Sequence, residues 1–366
     1  MSADTRTVFC ASAGFESARQ LDPIPAGHPS GRLHGHGFLA KVRCALPAGW
    51  ARFQGGEVDR LKVELQACVG ALDHRLLNDQ LTHPSDENLA RWVQGRLGCP
   101  GRVDVGIQSS ARRGADVDAA GRAHLWRRYA FQSAHQLPHV PLGHKCGKMH
   151  GHGFEVVVRA AAIDPAGRSG LGHDDLDAIW APIHFELNYG CLNDLPGLQN
   201  PTSELLASWL WARIAPQLPG LSTITVYETG SCGAVFDGER HRIWKEMTLD
   251  GALQLKHAPD GNGLRRLHGH TYTLRLHLSA PLDEWLGWAV DFGDVKAAFD
   301  PIFQRLDHQP LHKIADLADC DTGSIANWVF EKARQRLPQL DRVDLDETPG
   351  CGAIVSSSDA ALSGAL

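Results

Sequence analysis

The residues best suited to chemistry in this chain come in a tripeptide, His-Gly-His, that occurs three times. The copies are His34-Gly35-His36, His150-Gly151-His152 and His268-Gly269-His270, 116 and 118 residues apart. Residues i and i+2 of a strand project from one face, so both imidazoles of each tripeptide aim at a single spot. The glycine between them lets a ligand approach the backbone closely. Beside the middle tripeptide, the run Phe131-Gln132-Ser133-Ala134-His135 supplies a third imidazole. Three neutral imidazoles with an open fourth position are the usual catalytic zinc set. An isolated His-Gly-His reads equally well as surface histidines beside a turn; the third histidine and the repetition favour the metal. Cys146 lies four residues before His150, between Lys145 and Lys148. A thiol next to lysines and a divalent metal has a lowered pKa and can serve as a base. The same thiol could instead be a fourth, structural metal ligand, which would close the site to a substrate.

Other landmarks keep the period. Leu72-Asp73-His74, Leu187-Asn188-Tyr189 and Leu306-Asp307-His308 are spaced by 115 and 119 residues, and Trp92, Trp209 and Trp328 by 117 and 119. Self-similarity at one period means internal duplication, so the chain divides into copies at 1–120, 121–240 and 241–366. In the middle copy an opening strand over Trp126 to Leu137 leads through a Pro/Gly/His loop to the His-Gly-His. A second strand covers Phe154 to Ala162, rich in β-branched residues. Helical stretches follow over Asp174 to Phe185 and Thr202 to Ala215, where Leu205, Leu206, Trp209 and Leu210 share a face. Short strands near Leu221 to Glu228 and Ala234 to Phe236 close the unit. The order is ββααββ. Four antiparallel strands with helices on one face leave an open edge on each side, and three such units side by side can close those edges into a barrel. The third copy ends near Val355, and the Ser/Ala/Gly residues beyond it are expected to form an unstructured tail.

Composition narrows the function. The 366 residues are 43% hydrophobic, and the formal net charge of −6 offers no basic field for nucleic acid or an anionic membrane. No stretch approaches the roughly 18 apolar residues of a membrane helix, and Met1 to Phe9 carries no apolar signal segment. Nine cysteines without a C-x-x-C pair fit a reducing compartment better than a disulfide framework. A cytoplasmic protein is expected.

The run from Phe131 through His152 resembles the signature of the 6-pyruvoyl-tetrahydropterin synthase superfamily. The three residues between Cys146 and His150 are similar to its 6-carboxytetrahydropterin synthase branch, which serves queuosine biosynthesis. Leu192-Asn193-Asp194, Asn200-Pro201-Thr202-Ser203-Glu204 and Tyr227-Glu228-Thr229 resemble the later motifs of that family. The likeness covers nearly all of the middle copy and, more weakly, the outer two. It implies an α+β tunnelling fold: three ββααββ units closing into a pseudo-threefold antiparallel barrel with helices outside. It also implies a lyase acting on 7,8-dihydroneopterin triphosphate, with Zn²⁺ held by His135, His150 and His152. Cys146 would move protons at the side-chain carbons and an Asp-His pair would relay charge. A carboxylate can accept two parallel hydrogen bonds from the pterin's amino group and ring nitrogen; Glu204 and Glu228 are the candidates for that anchor and its relay, with Thr202 also binding substrate. The products would be 6-carboxy-5,6,7,8-tetrahydropterin, acetaldehyde and triphosphate. A 6-pyruvoyl product, formed by triphosphate elimination alone, is the enzymatic alternative, and a non-catalytic pterin- or metal-binding scaffold is the other.

The copies depart from the pattern differently. In copy one Arg19 stands where His135 stands in copy two, Ser30 replaces the cysteine and Gln108 the glutamate of Tyr227-Glu228-Thr229. Copy three has Leu253 and Leu264 for the histidine and the cysteine, yet keeps Glu347 and the family-like Asp291-Phe292-Gly293-Asp294-Val295-Lys296. Arg and Leu cannot serve as metal ligands, so copies one and three are expected to be metal-free. Copy two in turn carries Asn188-Tyr189 where an Asp-His pair is expected, while Asp73-His74 and Asp307-His308 survive in the outer copies. The family's site lies between ring neighbours, which implies one composite site: Cys146 and the metal from copy two, Asp307-His308 or alternatively Asp73-His74 from a neighbour. Family rings also stack, which implies a homodimer forming a pseudo-hexamer.

Overall fold

The computed structural model describes residues 5–22, 27–162, 171–317 and 319–358; most of the expected tail, 359–366, lies outside them. The first unit runs β1 (Arg6–Arg19), β2 (His34–Cys44), α1 (Glu57–Gly70), β3 (Arg75–Leu76), α2 (Asp86–Arg96), β4 (Val103–Ser110) and β5 (Arg113–Val117). The second has β6 (Ala123–His135), β7 (His150–Ala161), α3 (His173–Leu187), β8 (Gly190–Cys191), α4 (Ser203–Ile214), β9 (Leu221–Thr229) and β10 (Cys232–Phe236). The third has β11 (His241–Leu253), β12 (His268–Ser279), α5 (Phe292–Phe303), β13 (Gln309–Pro310), α6 (Thr322–Arg334), β14 (Leu340–Thr348) and β15 (Cys351–Ser356). Each unit is the expected ββααββ, with a two-residue strand added between its helices. The His-Gly-His tripeptides begin β2, β7 and β12 rather than preceding them.

Within a unit the strands lie in the order β5-β4-β2-β1, β10-β9-β7-β6 and β15-β14-β12-β11. The edges then meet antiparallel, as β5 with β6, β10 with β11 and β15 with β1. Twelve strands thus form a closed barrel with no free long edge, which is how an antiparallel sheet removes its unpaired backbone groups.

Strand alternation separates the barrel's two faces. Outward residues such as Phe38, Val42, Phe154, Val158, Leu274 and Leu278 are buried under the helices, giving a separate hydrophobic core for each copy. The second helix of each copy begins on a side-chain cap: Ser85 accepts from the Asn88 N–H, Thr202 from Leu205, and Asp321 from Ser324. Inward residues line a polar lumen of about 450 Å³ that includes Lys41, Arg128, Trp244, Glu246 and Arg275. There Arg128 pairs with Glu155 at 2.9 Å, and Arg275 with Glu246. Among the described residues no helix is long and apolar enough to cross a membrane.

The two-residue strands decide which copies face each other. β3 pairs parallel with β1 at Ser17 and Ala18, where the opposite edge of β1 is already taken by β2. It therefore lies on the β15 side, at the junction of copies three and one. By the same reasoning β8 lies on the β5 side of β6, and β13 on the β10 side of β11.

Closure requires glycine where the last strand of one copy crosses the first tryptophan of the next. A Cβ on Gly233 would sit 2.0 Å from Val226 O and 2.5 Å from the Trp244 ring; on Gly114 it would sit 2.4 Å from Ile107 O and 2.6 Å from Trp126. Gly233→Ala is expected to destabilise the barrel by roughly 1–3 kcal/mol, as overpacking does, and to lower the thermal midpoint by several degrees. An unchanged midpoint would mean that the junction relaxes at no cost.

Candidate active site at the junction of copies two and three

Strand pairing assembles the three-histidine cluster. His135 ends β6 directly opposite His150 at the start of β7, and His152 follows two residues on. Each offers one ring nitrogen, and the three lie within 4.8 Å of one another. Backbone carbonyls orient the rings: His135 Nδ1 donates to Pro201 O at 3.1 Å and His150 Nδ1 to Lys148 O at 2.7 Å. Their Nε2 atoms are left for a ligand, and the buried Nε2 atoms of His135 and His152 have no hydrogen-bond partner. Burial lowers the pKa of both, which keeps them neutral. Orphaned, neutral, convergent imidazoles held by a second layer of acceptors fit a divalent metal.

Glu228 flanks the cluster from β9, with Oε1 3.5 Å from His152 Nε2. Its Oε2 accepts from Ser203 Oγ at 2.5 Å, a partner the sequence reading did not single out. Glu204 lies deeper, 2% exposed, and burial pushes its carboxyl up to about 7. The Thr202 hydroxyl is committed to structure, capping α4 and donating to Gly287 O at 2.7 Å. Cys146 is the middle residue of a single 3-10 turn, Lys145–Gly147. Burial raises its thiol pKa and Glu228 adds to the rise, with Lys145 only opposing them. The lowering expected from flanking lysines is therefore not delivered by the protein's own charges.

Copy three covers this site. Leu286 O accepts from Asn200 Nδ2 at 2.8 Å, and the Ala289 N–H donates to Glu204 Oε1 at 2.9 Å. Trp285 stacks on His139 with ring centroids 4.1 Å apart, and Asp291 lies 3.5 Å from His144 Nε2. Asp307-His308 immediately precedes β13, on the copy-two side of β11. His308 has φ of 56°, a left-handed conformation rare for a side chain with a Cβ. Its N–H donates to Asp250 O, and Asp307 Oδ1 accepts the Asp250 N–H. The exposed His308 ring donates from Nδ1 to Asp307 Oδ2 at 2.9 Å, which raises its pKa.

The outer copies repeat the frame without its chemistry. Asp73-His74 sits in the same left-handed geometry, but on β1's edge facing copy three. Asn188-Tyr189 keeps the structural half of the motif, since Asn188 Oδ1 accepts the Gln132 N–H at 2.9 Å. It faces copy one. In copy one Arg19 opposes His34 where His135 opposes His150. Its guanidinium is buried, 2.7 Å from Asp86 Oδ1, whose other oxygen takes a hydrogen bond from Ser109 at 2.6 Å. His36, half-buried beside Arg19, is pushed down to about 4 by desolvation and by that guanidinium. Strand register corrects one expectation here. Leu39 pairs with Gln108 as Glu155 pairs with Tyr227, so Ser109, not Gln108, occupies the position of Glu228. Gln108 faces the lumen, as does Tyr227. In copy three Leu253 and Leu264 take the histidine and cysteine positions, and Glu347 survives, accepting from the Thr322 hydroxyl and pushed up to about 7 by burial.

The chain matches the family described as 6-pyruvoyl tetrahydropterin synthase over residues 9–102, 124–239 and 241–358. It is 32% identical over 126 residues to a 6-carboxy-5,6,7,8-tetrahydropterin synthase from Synechocystis sp., a match covering 32% of this chain and 94% of that protein. It is 34% identical over 109 residues to a dihydroneopterin monophosphate aldolase from Pyrococcus furiosus, covering 29% of this chain and 89% of that one. A solved 6-pyruvoyl tetrahydropterin synthase from Caenorhabditis elegans aligns with 31% of this chain and 92% of its own, at 19% identity and a TM-score of 0.29.

One bound metal per chain is expected by elemental analysis. His135→Ala should abolish it, while His36→Ala should leave it in place. Close to three metals per chain would show that Arg19 and Leu253 do not block binding.

Proposed function

Because this chain belongs to the 6-pyruvoyl tetrahydropterin synthase family, whose members process pterins, we propose that it is a zinc-dependent lyase with one composite active site. The substrates are 7,8-dihydroneopterin triphosphate and one water, and the products are 6-carboxy-5,6,7,8-tetrahydropterin, acetaldehyde and triphosphate. The observation that carries this reading is that only copy two, among the described residues, unites three convergent histidines with a cysteine and a glutamate, at a junction that residues 286–289 of copy three cover and on whose side of β11 the Asp307-His308 pair lies.

His135, His150 and His152 would hold the metal, which would polarise the hydroxyl and carbonyl oxygens of the substrate side chain. Glu228 fits the anchor: its carboxylate is oriented by Ser203 and can accept two parallel hydrogen bonds from the pterin's amino group and ring nitrogen. Glu204, bound to the Ala289 N–H and with its carboxyl pushed up to about 7 by burial, relays charge behind it. Cys146 removes and returns protons at the side-chain carbons. His308 is its proton partner: with Nδ1–H given to Asp307, Nε2 is left basic, and the raised pKa suits proton exchange near neutrality. Topology favours Asp307-His308 over Asp73-His74, because β13 faces copy two and β3 faces copy three. The turn around Cys146 is held by backbone and imidazole contacts, which suits a base better than a fourth metal ligand.

Turnover of dihydroneopterin triphosphate, followed by acetaldehyde and triphosphate release, tests the reaction. Loss of a general acid–base group costs about 10²–10⁴-fold; Cys146→Ala and His308→Ala are expected to fall in that range, and His74→Ala to stay within about twofold. Triphosphate release without acetaldehyde would replace this reading with the 6-pyruvoyl reaction. Full activity in both histidine variants would remove the shared site.

A further inference from the structure

The turn that carries Cys146 is fixed at both ends of its central residue. The Cys146 N–H donates to His144 Nδ1 at 3.2 Å, and the Cys146 carbonyl accepts from the Leu137 N–H at 2.8 Å. Because Nδ1 of His144 is the acceptor, the neutral ring carries its proton on Nε2, and Nε2 faces Asp291 Oδ2 at 3.5 Å. Asp291 belongs to copy three and is itself immobilised. It caps α5, with Oδ1 accepting from the Gly293 and Asp294 N–H groups. One imidazole therefore connects the backbone of the cysteine turn to the first residue of a helix in the neighbouring copy.

Five residues upstream, His139 makes a second attachment of the same loop to copy three. Its ring stacks on Trp285 at 4.1 Å and its Nδ1 lies 2.6 Å from Trp285 O. We propose that His144 and Asp291 form a clamp between copies that sets the position of the Cys146 thiol, so that the docking of copy three places the cysteine as well as covering the site. This rests on the reading of Cys146 as the proton-moving group. His144 and Asp291 are positioning residues, since neither is placed against the reacting atoms.

The chain contains its own controls. Copy one keeps the arrangement, with His28 Nδ1 accepting the Ser30 N–H at 3.1 Å and Nε2 meeting Asp174 of copy two. Copy three keeps only half of it: Asn262 Oδ1 accepts the Leu264 N–H at 2.9 Å, and the N-cap of the corresponding helix in copy one, α1, is Gly56, which has no side chain to answer. Asparagine is thus a working cap for this turn. It reproduces the Nδ1 acceptor, while its amide ends short of the Nε2 position.

His144→Asn, Asp291→Asn and the double variant separate the clamp from the cap, since Asn also caps helices well. In the full chain we expect His144→Asn and Asp291→Asn each to change the rate of Cys146 alkylation by iodoacetamide, mapped by peptide mass. Each should also lower kcat about tenfold with KM nearly unchanged, as small misplacements of a reacting group do. Metal content and thermal midpoint should stay at wild-type values, and the double variant should be no worse than either single one, the signature of a shared interaction. Wild-type alkylation in all three variants would overturn the clamp. So would multiplicative single effects, or losses that follow metal content or thermal midpoint. Alkylation does not depend on the substrate, so absent turnover in the wild-type chain would count against the proposed reaction and leave this test intact.

Discussion

The hydrogen bonds between β5 and β6, β10 and β11, and β15 and β1 hold the rest of the molecule in register. A four-stranded sheet in water leaves two rows of backbone groups exposed, and each copy here satisfies them only on its neighbours. The same pairings bring the last strand of one copy against the first strand of the next and leave the upper part of that first strand uncovered. Into that space fall the two-residue strands and the Asp-His or Asn-Tyr motifs before them. The meeting of residues from two copies at each junction is thus a by-product of closure.

Decay in this chain therefore follows junctions rather than copies. Between copies one and two both contributions have gone: Arg19, Ser30 and Ser109 on one side, Asn188-Tyr189 on the other. Between copies two and three both are complete. The third junction is mixed, with Leu253 and Leu264 set against Glu347 and Asp73-His74. Counted copy by copy, the losses look scattered and copy two looks defective, since it lacks its own Asp-His pair. Counted by junction, the one complete three-histidine cluster among the described residues is matched to an intact Asp-His pair.

Much of this was legible in the residues. The tripeptide repeats, the ββααββ order and the ligand set all depend on local spacing, which sequence records directly. Gln108 stands 120 residues before Glu228, outside the 115–119 range of the other intervals, whereas Ser109 stands 119 before it, the interval that also separates Glu228 from Glu347. On a strand a slip of one residue exchanges the two faces, and cross-strand register settles the match on Ser109. The order of copies around the ring was hidden because it is set by which edge of β11 receives a two-residue strand. Asp291 and Ser203 were quoted only as parts of motifs, because their partners lie in another copy or another element. Flanking lysines are visible in sequence, whereas the burial that opposes them at Cys146 is not.

The ion pair of Arg19 with Asp86 bears on whether the first site could ever be regained. Restoring His at position 19 alone would strand a buried carboxylate without its counter-charge, a loss of about 3–5 kcal/mol. Removing Asp86 alone would strand the guanidinium in the same way. Either single step toward a histidine at position 19 crosses a destabilised intermediate, so positions 19 and 86 can be exchanged only together.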